Sequence, residues 1–321
     1  MAHQSAKKVF EGRVSFCVGT GRCGTTFLSK VIELEPQVAS SSYRHALSDT
    51  FHRYCNWHNL PVDSAGFLQN KEIDIVKDLQ THRYSFESSS YLSLSIQELF
   101  DHFKAKFILL VRSPANVVNS YLSKDWYANK YVKKDPFLAL GYQQTPEFHH
   151  FLGRITPIGD DFTRWNELTQ VGKVAWYWST LNSAIIKQFR KLPETYYRVQ
   201  KLEELDYSAY RKIADFLGFH STIPEDIYNE IAAKRPNART AVSTISNWSS
   251  NEILEFEHEV APVATQLGYE YQISSLLRQK ASTNEQEKSE AKTLLKRTNG
   301  LSNWLAKVIR TLTESDESSS K

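Results

Sequence analysis

The run Val14 to Leu28, VSFCVGTGRCGTTFL, constrains this chain more than any other stretch. Val14, Phe16 and Val18 alternate with smaller side chains and no charge interrupts them, which predicts a short buried strand. Gly19, Gly21 and Gly24 then break the strand. Glycine takes positive φ at little cost and lets a ligand approach the backbone. Past Gly24 the period changes. Phe27, Leu28, Val31 and Ile32 fall at helical spacing, so a helix opens near Gly24. Strand, glycine turn and helix together point loop amides and a helix N-terminus at one place, which suits an anion, most often a phosphate.

The loop's own chemistry narrows the anion. Gly19 and Gly24 have the spacing of the nucleotide-binding pattern Gly-x-x-x-x-Gly-Lys, but Thr25 stands where that pattern needs lysine. The loop's one cation is Arg22, placed to lie against a terminal anionic group and not along a nucleoside triphosphate. A second stretch, Lys106 to Leu122 (KFILLVRSPANVVNSYL), has the same build. Phe107 to Val111 is a continuous apolar run, as in a central parallel strand. Arg112 follows at its carboxyl end, and Ser113 and Pro114 are helix-start signals. Ser113, Asn116 and Ser120 share the helix face opposite Val117, Val118, Tyr121 and Leu122. Ligands of open α/β sheets sit at the carboxyl ends of strands, so Arg112 and Ser120 can reach one anion together.

These two motifs carry a family resemblance. Gly21-Arg22-Cys23-Gly24-Thr25-Thr26 resembles the 5′-phosphosulfate loop of sulfotransferases that use 3′-phosphoadenosine 5′-phosphosulfate (PAPS). Arg112, with Ser120 eight positions on, resembles that family's 3′-phosphate motif. The resemblance implies a three-layer α/β/α fold with a central, mainly parallel sheet, like that of P-loop kinases and sulfotransferases. It implies that PAPS is the donor, with no metal, and that 3′,5′-ADP leaves. It places Gly21 to Thr26 around the phosphosulfate and Arg112 with Ser120 on the 3′-phosphate. Arg22 would neutralise charge on the bridging oxygen. Basic residues ahead of Trp248 would close over the 3′-phosphate, with Lys234, Arg235 and Arg239 available for this.

A general base is expected about two dozen positions after the loop, where many family members carry an acidic residue. No glutamate stands there. His45 does, with Arg44 beside it and Asp49 one helical turn on, and a neutral histidine is a competent base. Glu87 is the second choice, because Phe86 to Tyr91 (FESSSY) resembles a heparan-type segment in which Ser88 replaces a lysine. His82 stays open. His45, His52 and His58 have no metal-ligand spacing.

The rest of the chain fills out this reading. Val38 to Ser42, Arg83 to Ser89 and Thr195 to Val199 are further strand candidates. The segment SIQELFDHF, the run Glu167 to Lys191, the segment YSAYRKIADFLGF and the stretch Leu254 to Tyr271 read as helices. Residues 124–161 read as an irregular insertion that sets acceptor specificity, with His149 and His150 as contacts. The resemblance spans residues 10–272. A polar linker (273–291), an amphipathic C-terminal helix (292–314) and a disordered tail (315–321) follow. That helix suits self-association or contact with a membrane surface. Lys plus Arg is 39 against 36 for Asp plus Glu, too balanced for a nucleic-acid footprint. No transmembrane run or signal core appears, and three cysteines give no disulfide framework, which points to the cytoplasm. The acceptor is a hydroxyl or amine of a small natural product, carbohydrate or lipid. Two other classes stay open: a P-loop small-molecule kinase, and a catalytically inactive module that binds 3′,5′-ADP.

Overall fold

The computed structural model describes residues 9–128, 154–234 and 245–269. Five strands form one sheet in the order β2-β3-β1-β4-β5, and every pairing is parallel. In chain order they are β1 (Val14–Val18), β2 (Val38–Ser42), β3 (Tyr84–Ser88), β4 (Lys106–Val111) and β5 (Tyr197–Lys201). Helix α1 (Thr25–Ile32) follows β1, and α2 (Ala46–His58) and α3 (Ser64–Thr81) lie between β2 and β3. Then come α4 (Ile96–Phe103), α5 (Pro114–Leu122), α6 (Asp161–Glu167), α7 (Gln170–Phe189), α8 (Tyr207–Leu217), α9 (Glu225–Lys234) and α10 (Ser250–Gln266).

The sheet divides the apolar core into two layers, which gives the three-layer α/β/α architecture expected from the sequence. Val14, Phe16 and Val18 of β1 face a cluster with Phe103, Val117, Trp178 and Phe256. Cys17 faces the other way, into a cluster with Leu28, Val31, Tyr210 and Tyr228. Phe107 to Val111 of β4 are at most 1% exposed, as a central parallel strand requires. Each such side chain contributes about 1.5–3 kcal/mol by leaving water.

The chain moves to one side of β1 to form β2 and β3, then to the other side for β4 and β5. The carboxyl end of β1 is therefore the topological switch point, where open sheets leave a crevice for ligands. The β1–α1 loop and the β4–α5 junction both end there.

Several boundaries differ from the sequence reading. The helix expected over Glu167 to Lys191 is α7 and starts at Gln170, because Thr169 caps it by accepting from the Gly172 amide. The last strand starts at Tyr197, two residues later than expected, because Glu194–Tyr196 form a 3-10 turn. Helices α3 and α9 have no counterpart among the sequence expectations. Residues 129–153, with His149 and His150, lie outside the described residues, as do Arg235 and Arg239. So do the linker, the C-terminal helix and the tail.

Candidate functional site

The β1–α1 loop is curled tightly. Gly21, Arg22 and Gly24 all take left-handed backbone conformations, with φ of 80°, 58° and 96°. Such a curl turns successive amides toward a common hollow. Close neighbours enforce it. A Cβ added to Gly21 would lie 2.5 Å from the Tyr121 hydroxyl, and one added to Gly24 would lie 2.6 Å from Leu202 Cδ1. Gly24 ends the loop in the N-cap position of α1.

Side chains from four elements pin the loop. The Tyr121 and Tyr177 hydroxyls both donate to the Thr20 carbonyl, at 2.7 and 3.0 Å. Arg53, fully buried, donates to the Tyr177 hydroxyl at 2.9 Å and to the Ser90 carbonyl at 3.1 Å. The Ser93 hydroxyl donates to the Gly19 carbonyl at 2.7 Å. The Ser88 hydroxyl donates to the Thr25 carbonyl at 2.9 Å. Sequence reading singled out none of Arg53, Tyr177 or Ser93. Their signal is long-range: Arg53 and Tyr177 are 124 positions apart. Cys23 is buried inside the loop, and burial pushes its thiol up to about 11, which keeps it protonated and inert.

The second motif docks on the first. Arg22 Nε donates to the Ser120 hydroxyl at 2.8 Å, and Arg112 Nη1 donates to the Arg22 carbonyl at 3.2 Å. Arg22, Arg112 and Ser120 are thus brought into one contiguous polar patch, and all three are half-buried. The β4–α5 junction is held from behind. The Ser113 amide donates to Glu203 Oε1 at 2.8 Å, and the Trp178 indole donates to the Arg112 carbonyl at 3.1 Å. Ser113 occupies the N-cap position without a side-chain cap bond, and Pro114 opens α5 as expected. Lys234 ends α9 and pairs with Glu230 one turn back on an exposed face.

The two base candidates have different surroundings. His45 precedes α2, and its side chain is 34% exposed. Its Nε2 lies 2.6 Å from Asp74 Oδ2 on α3. An ionised carboxylate only accepts, so Nε2 is the donor in this pair, and in a neutral ring Nδ1 would then carry the lone pair. Asp49, the expected neighbour of His45, turns away and bonds Lys71 at 2.8 Å. Glu87 is 3% exposed, and both of its oxygens accept from the same Lys71, at 2.9 and 3.1 Å. Asp49, Lys71 and Glu87 form one buried cluster. Burial raises the Asp49 carboxyl to about 6, with Lys71 pulling the other way.

Of the other histidines near this region, His52 is buried and His82 is part-exposed. His52 stacks flat on Phe67 at 3.9 Å and reaches Glu98 at 2.8 Å. His82 sits at the end of α3 against the Thr81 hydroxyl, at 2.9 Å. Among the described residues, no group of three or more His, Cys, Asp or Glu side chains is placed to hold a metal ion. Among them also, no helix is long and apolar enough to cross a membrane.

No curated protein sequence matches the chain. Similar solved structures include the sulfotransferase domain from the curacin biosynthetic pathway, at 15% identity and a TM-score of 0.49. That match covers 81% of this chain and 98% of that one. They also include the sulfotransferase domain from the Synechococcus PCC 7002 olefin synthase, at 15% identity and a TM-score of 0.39. Here the coverage is 77% of this chain and 94% of the other. The model of the sulfotransferase domain family matches residues 13–260, well over half of the sequence. The chain belongs to the sulfotransferase domain family and is a transferase of that type.

Proposed function

We propose that the β1–α1 loop and the β4–α5 junction bind PAPS, and that the chain passes its sulfuryl group to a hydroxyl or amine of a small natural product, carbohydrate or lipid. The observation that carries this reading is the contact between the two motifs. Arg22 of the loop touches Ser120 of α5, and Arg112 touches the Arg22 backbone, so two cations and a hydroxyl flank one curled loop. The fit to the donor is chemical. Gly21, Arg22 and Gly24, all left-handed, curl the loop in the way that aims successive amides at an oxyanion. Thr25 and Thr26, at the start of α1, add hydroxyls at the positive end of the helix.

When bound, PAPS supplies an activated sulfuryl group with a phosphate as its leaving group. The protein's task is then to position groups and stabilise charge. Arg22 stays beside Ser120 and offsets the negative charge that grows at the loop. Arg112 and Ser120 hold the 3′-phosphate, with Lys234, Arg235 and Arg239 available above it. His45 takes the acceptor's proton at Nδ1, because Asp74 fixes the Nε2 proton and orients the ring. Glu87 is the weaker base, since Lys71 occupies both of its oxygens. Three free, buried cysteines suit a reducing compartment, which supports a cytoplasmic location.

Thermal unfolding with 3′,5′-ADP and with Mg-ATP tests the donor reading. At a hundred times Kd, a ligand that binds only the native state adds about 2.7 kcal/mol. The midpoint rises with 3′,5′-ADP and not with Mg-ATP. A rise with Mg-ATP alone would replace this reading with a P-loop kinase.

A further inference from the structure

Three hydroxyl groups meet against the inner side of the loop. The Tyr43 phenol lies 3.4 Å from Thr25 Oγ1 and 3.2 Å from Ser90 Oγ. Ser90 Oγ itself lies under the loop, 3.3 Å from where a Cβ on Gly21 would stand. Thr25 opens α1, Tyr43 follows β2 and Ser90 follows β3, so three separate segments place these oxygens together.

Tyr43 reaches this point through an unusual backbone. Its φ is +53°, in the left-handed region that aromatic residues seldom occupy. Such conformations persist only where the surroundings enforce them, and they cluster at functional sites. Here the Tyr43 amide donates to the Ser88 carbonyl at 3.1 Å, and the ring packs edge-on against Tyr91 at 5.2 Å. Ser90 is equally fixed, its carbonyl accepting from Arg53.

The spacing of the three oxygens matters. A well-formed hydroxyl pair sits at about 2.7–2.8 Å. Both of the Tyr43 contacts are longer, so neither neighbour holds the phenol proton firmly. Burial raises the phenol's pKa, so the group is a donor at any physiological pH. Catalytic hydrogen bonds are commonly long before the ligand arrives and tighten around it.

Position on the sheet selects the ligand atom. Arg112 and Ser120 lie on the β4 side of β1, whereas Tyr43 lies on the β2–β3 side, two residues before His45. A group in transit from donor to acceptor must sit between the donor body and the base. We infer that Tyr43 is a catalytic residue whose phenol donates a hydrogen bond to an oxygen of the sulfuryl group held in the loop, with the Ser90 hydroxyl orienting it. This rests on the donor reading above.

PAPS and 3′,5′-ADP differ by that sulfuryl group, so their binding separates the possibilities. Calorimetric titration of the full chain and of Tyr43→Phe with both ligands, alongside melting curves, is the test. Tyr43→Phe keeps the ring, binds 3′,5′-ADP as the wild type does, melts within about 2 °C of it, and binds PAPS about tenfold more weakly. Ser90→Ala shows the same selective loss, but smaller. Equal weakening of both ligands, or of neither, overturns the assignment of Tyr43 and leaves the donor reading standing. Failure of the wild type to bind either ligand overturns both.

Discussion

The two flanks of β1 are held by different kinds of contact. On the β4 side, Arg22 donates to the Ser120 hydroxyl and Arg112 donates to the Arg22 backbone carbonyl. On the β2–β3 side, charges are matched with charges. Lys71 is shared by Asp49 and Glu87, Arg44 is held by Asp78 at 2.8 Å, and His45 is held by Asp74. The first flank joins the two motifs proposed to bind the donor. The other uses its charges to hold α2 and α3 to β3. If donor binding and proton transfer are divided in this way, mutations on the two flanks separate likewise.

The largest effect is expected on the charge-matched flank. Lys71→Met leaves two carboxylates buried together and removes about 3–5 kcal/mol of stability, read by urea denaturation. A loss near zero would mean that the cluster opens to water. Next is His45→Asn, which lowers turnover about 10²–10³-fold and leaves 3′,5′-ADP affinity unchanged. If instead Glu87→Gln stops turnover in a protein that still folds, the base is on β3 and the division of labour must be redrawn. On the donor flank, Gly21→Ala forces a Cβ to 2.5 Å from the Tyr121 hydroxyl on a left-handed backbone. It weakens 3′,5′-ADP at least about tenfold in calorimetric titration.

The last effect is in the pH profile. Burial raises the Asp49 carboxyl from 3.8 to about 6, so between these values the folded state holds a proton that the unfolded chain releases. The stability this group contributes is present on the acid side and is lost as pH rises through that window, by about 3 kcal/mol. Asp49→Asn should flatten the stability profile there. An unchanged profile would place the titration on another group.

The donor flank was legible because its parts are contiguous. Strand, glycine loop and helix lie within Val14–Ile32, and a second strand–helix pair within Lys106–Leu122 repeats the pattern. Strand β2 appears with the expected bounds, Val38–Ser42. The other flank was harder to read because its partners are distant. Asp74 lies 29 positions from His45, and nothing local links them. Helix α3 was hidden by its own content. It buries Phe67, Lys71 and Ile75 on one stripe, and a lysine in the middle breaks the apolar signature. Lys71 is buried only because carboxylates from α2 and β3 meet it, a fact that no window of sequence holds. Tyr43 was missed for a similar reason. Its role depends on a positive φ that no local signal announces.

The proposed PAPS site joins the loop and the β4–α5 junction. Calorimetric titration of wild type and Arg112→Ala with 3′,5′-ADP and with 5′-AMP tests it most directly. The wild type is expected to prefer 3′,5′-ADP, and Arg112→Ala to lose about tenfold or more of that affinity while 5′-AMP binding barely changes. Equal affinity of the wild type for both ligands, or no effect of Arg112→Ala, would contradict it.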